Sequence, residues 1–270
     1  MTWSAIQYTK FEDERSRPVK DLLARIPNRT VVRAADIGCG PGNSTELLQR
    51  RFPDAVITAI DSSPDMIEAA RRRLPDVRFA IDDIGAWQGP RNHFDLILAN
   101  AVLQWLPDHA ALLPALLGKL AAGGSLAVQV PANLEEPAHR LMRKTAIEGS
   151  WAEKLAAAVS ARSVRHNANW YYRTLHEGGA RVDIWLTTYY HPLAGGADAV
   201  VEWFKGSALN PFLEPLDPPE RSAFLLRYRA SVAEAYPALR DGTVLLAFPR
   251  LFFIATRRAT AEGWAGCETD

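Results

Sequence analysis

The chain has 270 residues, with 31 Lys+Arg against 31 Asp+Glu and a formal net charge of zero at pH 7. That balance argues against a general nucleic-acid binder, which needs a basic field, and a 48% hydrophobic, 23% charged composition excludes extensive disorder while supplying a large core. At about 150 residues per domain the length allows one or two domains, and a doubly wound α/β domain with insertions absorbs the whole chain.

The opening segment, MTWSAIQYTKFEDERSRP, carries Glu12, Asp13 and Glu14 where a signal peptide needs an uninterrupted apolar stretch. No later run approaches the roughly eighteen apolar residues of a membrane span, so a cytoplasmic protein is expected. The two cysteines, Cys39 and Cys267, are too few and too oddly placed for a disulfide framework or a metal cage.

From Val31 to Val130 short apolar runs alternate with helical patterns, the one-dimensional appearance of a parallel sheet flanked by helices. Strands are predicted at 31–37, 55–60, 77–81, 94–100 and 125–130, each nearly continuous in apolar residues, as strands covered on both faces should be. Asn43 with Glu46 reads as an N-cap and its reciprocal partner, Ser63-Pro64 as the start of the next helix, and Gly123-Gly124 as the stop of the helix after it. Residues 132–170 and 192–246 read as helical insertions that cap whatever the sheet binds. Between them lies a predicted strand at 181–193, and 250–257 closes a sheet of seven strands. On this reading 1–270 is a single domain, with an N-terminal segment at 1–30 and a ligand-binding core at 31–131.

The chemistry starts at Asp36-Ile37-Gly38-Cys39-Gly40-Pro41-Gly42-Asn43, a strand that runs into three alternate glycines and then a helix. Such a loop sits at the carboxyl end of the first strand, where backbone amides point at a ligand. A dinucleotide fingerprint would require glycine at position 43, and Asp36 disfavours a pyrophosphate. A carboxylate there suits a ligand with a positive amino group. Asp61 ends the second strand, placed for a ribose diol, and Asp83-Ile84, favoured over Asp82, follows the third, placed for an adenine. Asn100-Ala101 and then Gln104-Trp105 follow the fourth strand, where Trp105 is either core or an electron-rich wall for a cationic ligand.

The pattern D-x-G-x-G-x-G resembles the first motif of the class I S-adenosylmethionine-dependent methyltransferases, whose fold is a Rossmann-like seven-stranded sheet. The likeness extends to Glu14–Pro18, DIGCGPGNST (36–45), IDSSPDM (60–66), LQWLPDH (103–109), VDIWLTTYYH (182–191) and LLAFPRLF (245–252). These segments are similar to members that form the monomethyl ester of the small tricarboxylate trans-aconitate. The resemblance implies that Asp36, Gly38, Gly40 and Asn43 hold the methionyl part of S-adenosylmethionine, Asp61 the ribose, and Asp83 with Ile84 the adenine. Ser62, Met66, Asn100, Ala101 and Trp105 belong to the same cofactor set, and Tyr8 and Arg15 to an N-terminal segment folded over it.

Transfer of a methyl group to a carboxylate needs no general base, because the nucleophile is already ionised at pH 7. It needs alignment, and cations to orient the acid's other carboxylates. Arg17, Tyr190 and Arg250 are the expected substrate residues, with Arg165, His166, Tyr189 and His191 as further candidates. No metal, nucleic acid, membrane or obligate protein partner is expected. Between about Arg143 and Asn167, the stretch with WAEKLAAAVSARSVRHN, the chain departs from the family pattern, which leaves another small metabolite open as substrate, and a protein that only senses S-adenosylmethionine is the reading outside enzymes. An NAD(P)-dependent oxidoreductase is disfavoured at position 43.

Overall fold

A computed structural model describes residues 12–161, 166–205 and 208–258. The order is α1 (Glu12–Ala24), β1 (Arg33–Ile37), α2 (Asn43–Arg51), β2 (Val56–Asp61), α3 (Pro64–Arg73), β3 (Arg78–Ile81) and β4 (Phe94–Asn100). A 3₁₀ turn (Leu103–Trp105) leads into α4 (His109–Lys119) and β5 (Leu120–Pro131). Then come α5 (Pro137–Glu148), α6 (Ala152–Ala161), α7 (Ala168–Glu177) and β6 (Ala180–Ala194), followed by α8 (Gly196–Lys205), α9 (Asn210–Leu213), α10 (Pro218–Ala235) and β7 (Thr243–Arg257).

The seven strands form one sheet in the order β3-β2-β1-β4-β5-β7-β6. Pairs β1–β2, β2–β3, β1–β4 and β4–β5 are parallel. The direction of strand succession reverses between β1 and β4, so the crevice outside their carboxyl ends is the topological switch point of the sheet. The expected doubly wound α/β architecture is therefore the observed one, and the continuous apolar runs have the expected cause: in β4 only Asp95 and Asn100 are not fully buried.

Three local readings change, the first being the last strand, which begins at Thr243 and not at 250, so 243–246 belong to the sheet and not to a helical insertion. Gly123-Gly124 does not stop a helix, because α4 ends at Lys119 and both glycines lie inside β5. The pairing steps from Phe94↔Leu120 to Leu96↔Ser125, so the glycines form a bulge. Gly123 takes φ 76° and a Cβ on Gly124 would stand 2.6 Å from the Phe94 carbonyl oxygen, which is why that close approach needs a residue without a side chain. Asn43 is likewise not a cap. Gly42, at φ 91°, is the N-cap of α2, and Glu46 donates its amide to the Gly42 carbonyl while its carboxylate pairs with Arg73 and Arg50. The Ser63 expectation holds: its hydroxyl accepts from the Met66 amide and Pro64 occupies the first helical position.

The chain divides into two compact units. The sheet unit comprises, of the described residues, 16–129, 168–185 and 252–258. In it Asp95 accepts from the amides of Val32 and Arg33, each at 2.9 Å, and so ties the start of β1 to β4. The other unit comprises, of the described residues, 12–15, 130–161, 166–167, 186–205 and 208–251 and has an apolar core of its own, with Met142, Trp151, Phe204, Phe212 and Phe224 buried in one cluster. Its longest helix, α10, opens with a full capping box between Asp217 and Glu220. Tyr228 donates to the Ala138 carbonyl and the Tyr236 hydroxyl accepts from the Ala138 amide, which fixes α10 on α5.

Candidate active site

The glycine loop between β1 and α2 is shaped by contacts distant in sequence. Gly38 and Cys39 both donate to the Ile60 carbonyl, at 2.8 and 3.0 Å, carrying the β1–β2 pairing into the loop. Gly38 takes φ 73°, and a Cβ there would lie 2.3 Å from a methyl of Val102. Gly40 takes φ 54° and a Cβ there would meet no described residue within 4 Å, so among the described residues the space above its backbone is open. The first glycine is thus required by the protein's own packing, and the second leaves room for a ligand against the backbone.

Asp36 sits at the base of this loop with no solvent exposure. Its Oδ2 accepts from Ser44 at 2.8 Å and Thr45 at 2.7 Å, two hydroxyls of the first turn of α2. Burial raises its pKa to about 6, against the lowering effect of those two hydrogen bonds. Among the described residues Oδ1 has no hydrogen-bond partner, and neither do the buried side-chain oxygens of Asn43 and Asn100. Buried acceptors without donors are uncommon in folded proteins, and a group of them at a switch point invites a ligand with a positively charged donor.

Asp61, at the end of β2, accepts from the Gly40 amide through Oδ2 and from the Ser63 amide through Oδ1, both at 2.9 Å. It holds the glycine loop and the start of α3 in one geometry while each oxygen keeps a second lone pair. Ser62 beside it is exposed and Met66 is buried. After β3, Asp82 accepts from the Asp83 amide and Asp83 from the Gly85 amide, so both carboxylates shape the turn, with Ile84 buried beneath it. After β4, Ala101 takes φ 53°, a left-handed conformation unusual for a residue with a side chain. Its amide donates to the Gln129 carbonyl at 2.8 Å. Gln104 donates its amide nitrogen to the Ala101 carbonyl, which leaves Oε1 buried with no partner among the described residues. Trp105 is partly buried.

The loops after β1, β2 and β4 are therefore joined: Asp61 to Gly40, and Val102 to Gly38. Tyr8 and Arg165 lie outside the described residues, as does the side chain of Arg15. Arg17 is an exposed residue of α1, and His166 is exposed. In the second unit Arg250 is 5% exposed, with its guanidinium carbon 4.7 Å from the centre of the Phe248 ring. His191 stacks on Trp203 at 4.6 Å and faces the same Phe248 ring at 5.7 Å. Alternation along β6 buries Tyr189 and His191 and leaves Tyr190 60% exposed, so only the first two share a face. Val102 is not among the expected site residues, and Gln104 is expected there by its place after the fourth strand but not for its side-chain acceptor. Their role depends on a close approach and on a carbonyl left over by a hydrogen bond, neither of which has a sequence signature.

The set of acceptors fits S-adenosylmethionine. Unpartnered buried oxygens suit its ammonium group, the lone pairs of Asp61 suit a diol, and an open glycine backbone admits close contact. Among the described residues no group of three or more His, Cys, Asp or Glu is placed to hold a metal ion, and no helix is long and apolar enough to cross a membrane.

Residues 34–124 match the family described as "Methyltransferase domain". Among solved structures, the chain is similar to the YcgJ protein of Bacillus subtilis, with a TM-score of 0.61 at 12% identity over 90% of this chain and 98% of that one. It is similar also to a phosphoethanolamine N-methyltransferase of Haemonchus contortus, with a TM-score of 0.54 at 18% identity over 90% and 52%. These likenesses concern the fold. Among curated proteins, the trans-aconitate 2-methyltransferase of Methylobacterium nodulans is 54% identical over 94% of this chain and 98% of its own length. That of Rhizobium meliloti is 50% identical over 95% and 99%. With a methyltransferase sheet, a site that fits the cofactor, and relatives of this identity along nearly the whole length, the chain belongs to the trans-aconitate 2-methyltransferase family.

Proposed function

We propose that the protein is an S-adenosylmethionine-dependent carboxyl O-methyltransferase that converts trans-aconitate to a monomethyl ester. The observation that carries this reading is the identity of about 50% to relatives of that name over 98% or more of their length. The acceptor-lined loop at the switch point supports it independently.

In this reading Asp36, Gly38, Gly40 and Asn43 hold the methionyl end, with the Asp36 carboxylate set toward the ammonium group. Asp61 takes the ribose hydroxyls on its remaining lone pairs, and Asp83 and Ile84 take the adenine. Ser62, Met66, Asn100, Ala101 and Trp105 complete the cofactor set, together with Tyr8 and Arg15. When bound, S-adenosylmethionine supplies a methyl group made electrophilic by a positively charged sulfur. The chain's own task is then alignment and exclusion of water, since a carboxylate with an ordinary pKa near 4 is ionised at neutral pH and no residue has to remove a proton.

Of the expected substrate residues Arg17, Tyr190 and Arg250, orientation of the acid falls to Arg250, because Tyr190 lies on the face of β6 opposite His191, and His191 shares the Phe248 ring with Arg250. A guanidinium pairs bidentately with a carboxylate, and Arg250, desolvated against Phe248, loses little further hydration on doing so. Arg250→Ala should raise the KM for the acid by about tenfold or more, the worth of a charged hydrogen bond, with the affinity for S-adenosylhomocysteine nearly unchanged. Equal losses in both would give Arg250 a structural role instead.

The reading as a whole is tested by mass spectrometry of trans-aconitate, cis-aconitate, citrate and isocitrate incubated with the protein and S-adenosylmethionine. One added methyl on trans-aconitate is the expected product. A methyl on another acid alone would replace the substrate. No product from any of the four, with the cofactor still bound, would point to a different metabolite or to a sensor.

A further inference from the structure

The segment 101–108 connects β4 to α4 and carries Gln104 and Trp105 between two residues in the left-handed region, Ala101 at φ 53° and Asp108 at φ 51°. An alanine in that region is strained, whereas aspartate tolerates it, so the surroundings must hold the front of the loop in place. At the front it is tied by the Ala101 amide on the Gln129 carbonyl and by Gln104 on the Ala101 carbonyl. At the back Asp108 caps α4 through the Ala111 amide. The middle is held by the ring of His109, which is 8% exposed: Nε2 lies 2.8 Å from the Leu103 carbonyl oxygen and Nδ1 lies 2.8 Å from the Tyr171 hydroxyl. Leu103 itself is fully buried and opens the 3₁₀ turn.

The chemistry of the two partners fixes the roles. A carbonyl oxygen only accepts, so Nε2 carries a hydrogen, and in the neutral ring Nδ1 then accepts from the Tyr171 hydroxyl. Tyr171 is immobilised in turn: it is 4% exposed and stacks on Phe253 at 5.1 Å. The chain Tyr171–His109–Leu103 thus runs from α7 and β7 to the loop after β4. That loop presses Val102 against Gly38, where a Cβ would find only 2.3 Å, so its position also sets the glycine loop.

We propose that His109, held in the Nε2–H form by Tyr171, is a positioning residue that keeps Val102 and Gln104 in register with the cofactor loop. The proposal rests on the cofactor reading above, and on no assumption about the acid. It is tested with His109→Gln, whose terminal nitrogen reaches about as far as Nε2, and His109→Asn, whose nitrogen stops near the position of Nδ1. S-adenosylhomocysteine affinity by calorimetry, kcat and the thermal midpoint are measured for both.

We expect the Asn variant to lose about tenfold in affinity and in kcat, the scale of one buried hydrogen bond, while the Gln variant stays within about threefold of the original. The acid's KM should change little in either. Equal behaviour of the two variants, whether both active or both impaired, would overturn the positioning role. Should the Asn variant not fold, the wild-type ring decides by ¹⁵N–¹H correlation spectroscopy: a proton on Nε2 and none on Nδ1 supports the proposal, and the reverse refutes it. Failure of the unaltered protein to bind S-adenosylhomocysteine would instead remove the cofactor reading on which it stands.

Discussion

Gly38→Ala should weaken S-adenosylhomocysteine binding by about a hundredfold and abolish measurable methyl transfer. Two costs combine. The residue sits at φ 73°, where a side chain costs about 1 kcal/mol or more, and the new Cβ would lie 2.3 to 2.9 Å from three carbon atoms of Val102. Overpacking of that kind costs roughly 1–3 kcal/mol when neighbours can shift, and a total near 3 kcal/mol corresponds to about a hundredfold in affinity. The neighbours that must shift are the cofactor loops themselves, so the cost appears in binding as well as in stability. A Val102→Gly change in the same chain clears the contact and leaves the backbone strain, so the double variant should recover part of the affinity in a calorimetric titration. If Gly38→Ala binds normally, the close approach to Val102 does not constrain the site.

Asp36→Asn is the second large effect, and it acts on stability and binding in opposite directions. The Asp36 carboxyl is wholly buried and its pKa is raised to about 6 from 3.8, chiefly by desolvation. A group that holds its proton more tightly in the folded state contributes stability that is fully present below pH 3.8 and is lost as pH rises through 6. The loss across that window is about 3 kcal/mol, at 1.36 kcal/mol for each of about two pKa units. An asparagine has no such titration. Denaturant unfolding of the ligand-free protein should therefore show Asp36→Asn gaining on the original by about 1 kcal/mol between pH 5 and pH 7.5. Binding runs the other way: with the charge gone, affinity for S-adenosylhomocysteine at pH 7.5 should fall by about tenfold or more, the scale of a hydrogen bond to a charged group. A parallel stability profile for the two proteins would show that Asp36 is ionised at no cost. Unchanged affinity would remove it from the ligand's ammonium.

Much of the frame was legible in the residues. The strand predicted at 94–100 has the observed ends, and Ser63-Pro64 begins a helix as expected, because both signals lie within a few residues of the feature they specify. The readings that changed are ones where a local signal had a non-local competitor. Asn43 followed by Glu46 has the form of a cap, yet Gly42 takes that position because the loop must turn through the left-handed region there, and Glu46 finds Arg73, twenty-seven residues away. Gly123-Gly124 has the form of a helix stop, yet the strand β4 draws Leu120 into pairing four residues earlier.

Hydrophobic periodicity and the spacing of glycines, properties of neighbouring residues, determined by themselves that this chain builds a parallel sheet and presents a glycine loop after its first strand. Only the tertiary structure decided which atoms complete the site. The Asp61 carboxylate on the Gly40 amide, the Val102 methyl against Gly38, and the His109 ring between Leu103 and Tyr171 join residues 21, 64 and 62 positions apart at their widest. Such contacts exist once the loops at the ends of β1, β2 and β4 have been brought together by the pairing of their strands. No pattern along the chain encodes a distance between segments that meet only when the sheet has formed.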